Sequence, residues 1–284
     1  MRRATVLLLA ALAACSQPKV VKPALWEVTG ANGEQAWLLG TIHALPEPVN
    51  WRSAEVDRAL NGSDRLLLEV AAIGDGTATR AVFQRLASSP GLPPLVQRLP
   101  PQARPALQRI LADQGADPAQ LDGLETWAAT LSLNQLLADT DNAANGIDRA
   151  ILRAAPGKRI DEFEGAERQF AIFDTLPEAD QRAMLLATVS GAADAGAETA
   201  RLAVMWSNGE VAGMAEATRS GLLADPELRQ ALLTGRNQAW ATSLQQRLRK
   251  GERPLVAVGA AHLVGPEGLP ALLAAQGWTV RRIQ

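Results

Sequence analysis

The chain has two histidines in 284 residues, and both close the same pattern, G-x-x-H at the end of an apolar run. One run is Ala36-Trp37-Leu38-Leu39-Gly40-Thr41-Ile42-His43; the other is Leu255-Val256-Ala257-Val258-Gly259-Ala260-Ala261-His262. Short apolar runs bounded by glycine read as buried strands. Each strand is expected to end in a tight glycine turn, at Gly40 and at Gly259, and to present an imidazole at its carboxyl end. That is where α/β folds gather their ligands and their chemistry. Imidazole is also the commonest metal-binding side chain near neutral pH.

A carboxylate joins them. Glu69 ends the continuous apolar run Asp64-Arg65-Leu66-Leu67-Leu68-Glu69-Val70. Neighbouring strands lie about 4.8 Å apart, so His43, His262 and Glu69 converge on one ion if their strands are neighbours in one sheet. Two imidazoles and a carboxylate suit Zn²⁺, Mn²⁺, Fe²⁺ or Co²⁺. Such an ion polarises a carbonyl and lowers the pKa of bound water. A second carboxylate, Glu164, Asp148 or Glu162, would then be the general base. Arg236, beside Asn237, would anchor a substrate carboxylate or steady a tetrahedral oxyanion. Each residue also has a plainer reading: a satisfied structural histidine, a capping Glu69, an Asp148 that favours the first turn of a helix, an Arg236 and Asn237 on an exposed helix face. Two histidines in matching frames, with no others in the chain, weigh towards function for the pair.

The elements that would position these groups follow from local pattern. Leu25 to Val28 and Ala36 to Gly40 flank a glycine-containing loop and read as a β-hairpin. A helix from about Ser53 to Asn61, with Ser53 as N-cap, leads to the Asp64–Val70 strand, making a βαβ unit. Pro90 to Pro105 must be irregular and could border the site. From about Arg104 to Lys250 the pattern is mostly helical, ending in one long helix from Pro226 to Lys250. Lys158 to Glu164 interrupts it as a further strand ending in carboxylates. After the second histidine come a helix near Gly268 to Gln276, Gly277 as its C-cap, and a last strand from Trp278 to Ile283. The fold expected is a single α/β domain whose central mixed sheet is formed by both chain ends, with a large helical insertion at about residues 75–250.

Composition bounds the function. Met1-Arg2-Arg3 and the apolar stretch to Ala14 read as a secretory signal, and Leu12-Ala13-Ala14-Cys15 resembles a bacterial lipobox. Residues 1–14 are thus expected to be a signal peptide, Cys15 the lipidated residue, 15–24 a tether and 25–284 the folded domain. The place expected is the bacterial cell envelope, anchored by lipid to the outer membrane and facing the periplasm. Cys15 is the only cysteine and tyrosine is absent, so the folded part has no disulfide, no thiolate nucleophile and no tyrosine chemistry. A formal charge of −2 gives no sign of nucleic-acid binding. The chain has no G-x-S-x-G, H-E-x-x-H, P-loop or G-x-G-x-x-G after a strand.

These pieces together resemble the TraB/GumN family, which includes the animal Tiki proteins. The resemblance rests on Trp37 to His43, Leu66 to Glu69, Gly146-Ile147-Asp148, Glu164 within Asp161 to Gln169, Arg236-Asn237 and Val256 to Gly265. Gly268-Leu269 and Gly277 to Val280 also fit, so it spans about Leu25 to Ile283. Phe163-Glu164-Gly165 departs from the Leu-Glu-Thr-like sequence expected there. The resemblance implies a fold similar to erythromycin-esterase and ChaN-like proteins, with both histidine motifs at one site. It also implies metal-dependent proteolysis: His43, His262 and Glu69 as ligands, and Glu69, Glu164, Arg236 and Asn237 in the catalytic set. The function expected is a metal-dependent hydrolase of envelope peptides or proteins. The alternative is a non-catalytic haem- or metal-binding envelope lipoprotein.

Overall fold

The computed structural model describes residues 18–71, 76–138 and 140–284. The expected signal peptide and Cys15 lie outside the described residues. Among the described residues there are eight strands: β1 (Lys19–Val20), β2 (Leu25–Thr29), β3 (Gln35–Thr41), β4 (Val49–Asn50), β5 (Arg65–Leu68), β6 (Arg159–Glu162), β7 (Pro254–Gly259) and β8 (Thr279–Arg282). Two-residue β1 and β4 pair with each other. The other six form one sheet in the order β6-β5-β7-β3-β2-β8. β6, β5, β7 and β3 run parallel, whereas β2 is antiparallel to both β3 and β8. The sheet is therefore mixed and built from both chain ends.

The apolar runs are continuous because the central strands are covered on both faces. Alternate residues go to opposite layers. Trp37, Leu39, Leu66, Leu68, Leu255 and Ala257 pack with Val56, Leu60, Ile147, Ile151 and Trp206. Ala36, Leu38, Leu67, Val256 and Val258 pack with Trp240, Leu244, Leu248, Leu269 and Leu273. Burying each leucine contributes about 1.5–3 kcal/mol of transfer free energy, so shifting any strand by one residue would exchange two buried faces. The register is consequently strongly specified. It aligns Thr41 with Gly259 and Leu68 with Ala257, bringing the carboxyl ends of β3, β7 and β5 together.

Several local expectations hold. Helix Ala54–Gly62 starts at Ser53, whose side chain accepts the Val56 N–H at 3.1 Å. Helices Arg104–Asp113, Thr126–Leu137, Ile147–Ala154 and Gly165–Asp174 lie within the stretch expected to be mostly helical. Others differ. The long helix is broken: Pro226–Arg229 is α-helical, Gln230–Thr234 is a π-helical turn, and Gly235–Arg249 resumes the α-helix. Residues 90–105 hold two 3₁₀ turns, Leu95–Arg98 and Pro101–Ala103, and the first residues of a helix. Leu95 and Leu99 sit in a separate core with Leu107, Leu133 and Leu185, and nothing from this stretch lines the cavity beside His43. Gly40 and Gly259 are strand residues without positive φ rather than tight turns. What glycine provides at Gly40 is closeness: a Cβ there would lie 3.2 Å from the Cβ of Ala260. Among the described residues no helix is long and apolar enough to cross a membrane.

Candidate functional site

The carboxyl ends of β3, β5 and β7 carry His43, Glu69 and His262 into one neighbourhood. His43 follows β3 by two residues. Glu69 follows β5 directly and reaches sideways, its Oε1 accepting the Gly259 N–H of β7 at 2.8 Å. His262 sits on the 3₁₀ turn Ala260–Leu263 that leaves β7. His43, Glu69 and Asp148 line a cavity of about 360 Å³, with Arg149 and Gln169 at its rim and Leu68 in its wall.

His43 and Asp148 make a pair. Nδ1 of His43 lies 2.6 Å from Asp148 Oδ2, and the Thr41 hydroxyl donates to Asp148 Oδ1. Asp148 is in the first turn of helix Ile147–Ala154, whose start is tied to the strand end by the Ile147 N–H donating to Ile42 O at 2.9 Å. Gly146 must be glycine at this junction, because a Cβ would collide with the His43 carbonyl. The Asp148 charge and its hydrogen bond raise His43 to about 9. Burial would raise the Asp148 carboxyl, but His43 and Thr41 hold it below its ordinary value. His43 remains 77 % exposed, open to the cavity although protein surrounds it. Its Nε2 has no protein partner among the described residues.

His262 is the buried counterpart. Its Nδ1 lies 2.6 Å from Asn237 Oδ1, and Asn237 Nδ2 donates to the Glu267 carbonyl at 2.8 Å. With its amide nitrogen so used, Asn237 can only accept from the ring, so Nδ1 carries the hydrogen and Nε2 is a bare acceptor. Burial, reinforced by the Arg236 charge, pushes His262 down to about 4, against the pull of Glu69. His262 is therefore neutral at pH 7, packed 4.5 Å from the Trp240 ring.

Arg236 stitches the site together. Its Nε donates to Glu164 Oε1 at 2.9 Å, and one terminal nitrogen donates to Glu69 Oε2 at 2.8 Å and Glu164 Oε2 at 3.0 Å. The other donates to the Leu232 carbonyl and to His262 Nε2, both at 3.3 Å. All five guanidinium N–H groups are committed inside the protein, leaving none over for a substrate. The guanidinium also lies 4.6 Å over the Trp240 ring, whose Nε1 donates to Glu164 Oε1 at 2.9 Å. Burial acts to raise the Glu69 carboxyl, but His262, Arg236, the Gly259 N–H and His43 together hold it low. With His262 neutral, the charges of Arg236 and His43 and the Gly259 N–H supply that hold at pH 7.

The predicted residues thus divide. His43 and Glu69 face the cavity. His262, Asn237, Arg236 and Glu164 form the buried network behind it, and Glu162 lies apart, accepting the Ala71 N–H at 2.7 Å. Sequence reasoning left out Thr41, Arg149, Gln169 and the polar role of Trp240. Thr41 stands inside the G-x-x-H motif, and its hydroxyl in an otherwise apolar strand was the available signal. Arg149 follows Asp148 directly. Among the described residues no three His, Cys, Asp or Glu side chains stand as a ready metal cluster; His262 Nε2 and Glu69 Oε1 are 4.0 Å apart, with Arg236 bonded to both residues. The donor types nonetheless fit a divalent ion. Each imidazole has Nδ1 turned to an oxygen acceptor, the arrangement that puts Nε2 forward as the ligating atom; an ion would displace the Nε2 proton of His43 and the Arg236 contact to His262 Nε2, and Glu69 is an ionised carboxylate beside them.

Two curated relatives, each named "Uncharacterized protein YbaP", from Shigella flexneri and Escherichia coli (strain K12), are each 26 % identical over 251 residues, covering 87 % of this chain and 90 % of theirs. No solved structure matches the chain. The TraB/PrgY/gumN family matches over residues 24–282, from just before β2 to the end of β8, and the chain belongs to that family.

Proposed function

We propose that this protein is a metal-dependent hydrolase of the bacterial cell envelope, cleaving peptide or amide bonds and anchored by lipid at Cys15. The observation that carries the reading is the paired anchoring of the two imidazoles. Two histidines from adjacent parallel strands each have Nδ1 fixed by an oxygen acceptor at 2.6 Å, and the ionised Glu69 of the next strand reaches the same strand ends at the edge of a cavity. His43, Glu69 and His262 would hold the divalent ion, of the Mn, Co, Fe or Zn type. Such an ion supplies Lewis-acid polarisation of a scissile carbonyl.

The protein's own groups do the rest. Asp148 and Thr41 orient His43 across the cavity mouth. Asn237 fixes the His262 tautomer from within the core, and its own geometry is set by the Glu267 carbonyl. Glu69 Oε1 is the carboxylate oxygen placed to take a proton from a water entering the cavity. Arg236 holds Glu69 ionised, and Glu164 with Trp240 holds Arg236. A cavity of about 360 Å³ lies within the usual range for small-ligand sites, so it admits a short stretch of chain.

The test uses the mature chain without a histidine tag, beside a His43→Ala/His262→Ala variant. Near-stoichiometric metal and metal-dependent cleavage of a peptide library by the wild type, with neither in the variant and an unchanged circular dichroism spectrum in both, is the expected result. No metal and no cleavage after incubation with Mn²⁺, Co²⁺, Fe²⁺ and Zn²⁺ would sink it. A Soret band on haem titration without turnover would transfer the histidines to a binding role.

A further inference from the structure

A second cavity, of about 510 Å³, lies on the other side of the Arg236 network. Glu164, Arg236 and Trp240 line it, while Glu69 lines the first. The Glu69–Arg236–Glu164 ion pairs are therefore a wall between two cavities, and helix Gly165–Asp174 contributes to both, with Arg168 in the second and Gln169 in the first. The opposite side of the second cavity is formed in part by the π-helical turn Gln230–Thr234. Single π-helical turns inside α-helices are frequent at functional sites.

The polar lining is one-sided. Glu164 is the only carboxylate in it, and both its oxygens are filled by Arg236 and Trp240. The groups with capacity left are donors. Arg168 forms no ion pair or hydrogen bond among the described residues. The Gln230 amide nitrogen and the Ser243 hydroxyl likewise donate to no protein acceptor there, although Gln230 Oε1 accepts from Thr234 at 2.6 Å. Arg236 is held between Glu164 and Glu69, whereas Arg168 is a cation in the lining with no carboxylate partner among the described residues. Beside these donors Phe163, Ile172 and Leu176 supply an apolar wall.

We infer that this second cavity binds a small amphipathic carboxylate, its headgroup on Arg168 with help from Gln230 and Ser243 and its hydrocarbon against Phe163, Ile172 and Leu176. Pairing of an arginine with a carboxylate is the strong, geometrically defined form of such recognition. The site does not depend on the chain being a hydrolase. It meets the first cavity at the Arg236 ion pairs and at helix Gly165–Asp174, so a ligand charge placed beside Arg236 shifts that residue's hold on Glu69. Coupling of this kind is reciprocal.

The experiment is calorimetric titration of the metal-free protein with hexanoate, and with hexanol as the uncharged control. Saturable binding of hexanoate is expected, with hexanol at least tenfold weaker. Arg168→Gln removes the headgroup partner and should weaken hexanoate at least tenfold. Ala239→Trp, at an exposed helix position on the cavity lining, fills the space and should abolish binding, with unchanged denaturation midpoints showing that both variants fold. Arg149→Gln, at the first cavity, should bind as the wild type does. Absence of saturable binding, equal binding of hexanol, or loss in Arg149→Gln with none in Arg168→Gln would each overturn the assignment.

Discussion

The two G-x-x-H segments have nearly the same backbone setting and opposite electrostatics. They end adjacent parallel strands in matched register, Thr41 beside Gly259. Yet His43 is raised to about 9 and His262 is lowered to about 4. Glu69 acts on both in the same sense, raising each, and Arg236 lowers each, so these shared neighbours do not make the difference. What differs is burial and the partner at Nδ1: a carboxylate, Asp148, against an amide, Asn237. The motif places the rings; a residue from a helix elsewhere in the chain sets the charge each ring carries.

The strongest way to break the comparison is to remove what the halves share. Arg236→Met leaves Glu69 and Glu164, with side chains 12 % and 5 % exposed, without their cation. Uncompensated buried charge typically costs about 3–5 kcal/mol, and a loss of that size is expected in urea denaturation at pH 7. Arg236→Lys should recover only part of it, because one ammonium cannot make the bidentate contact to Glu164 and also reach Glu69. In the Met variant His262, which Arg236 touches, should titrate higher than before, and His43 should move less. Wild-type stability in Arg236→Met would mean that the network does not hold the site together.

Next in size are the partners themselves. Asp148→Asn should drop His43 from about 9 towards its ordinary value, and Asn237→Asp should lift His262 from about 4. With two histidines in the chain, NMR titration follows both directly, and an unmoved pair of curves would make burial the sole cause. The same shifts give a pH profile for stability. His43 has a folded pKa above the unfolded 6.5, so its contribution is complete below 6.5 and is lost as pH rises through about 9. His262 has a folded pKa below 6.5: the unfolded chain takes up a proton that the folded one refuses, so stability falls as pH drops from 6.5 towards 4. The lowered Glu69 and Asp148 steepen that acid limb. Stability should therefore be greatest near neutrality. His43→Gln should flatten the alkaline limb, which solvent screening of an exposed pair already makes the shallower one, and His262→Gln should reduce the acid limb.

Much of this was legible because hydrophobic runs report sheet position directly. The runs ending at Gly40, Glu69 and Gly259 needed both faces buried, and that requirement alone draws the chain ends into one sheet. Glu69 and His262 were readable as site residues for the same reason. The break at Gln230–Thr234 was not, since Pro226 to Lys250 carries no residue that forbids a straight helix. The irregular stretch after Pro90 was legible as irregular, but not as part of a separate core, because proline content says nothing about which leucines it brings together. Asp148 could be named as a carboxylate near a helix start, whereas its pairing with His43 depends on Gly146 bringing two distant segments into contact. The commitment of all five Arg236 donors is likewise a three-dimensional fact, and it turns a residue expected to grip substrate into one that holds other side chains.

The smallest expected effect concerns the strand ends. In each half a donor from the strand steadies a carboxylate: the Thr41 hydroxyl on Asp148, the Gly259 N–H on Glu69. The backbone donor cannot be removed by a side-chain change, but the hydroxyl can. Thr41→Val keeps the shape and strands one oxygen of Asp148, which is worth about 0.5–1.5 kcal/mol for a typical hydrogen bond. Asp148 should titrate slightly higher while staying ionised at pH 7, so His43 should remain near its raised value. A fall of His43 to its ordinary value in Thr41→Val would show that the hydroxyl positions the pair, and that the strand, as well as the distant helix, sets the charge on this ring.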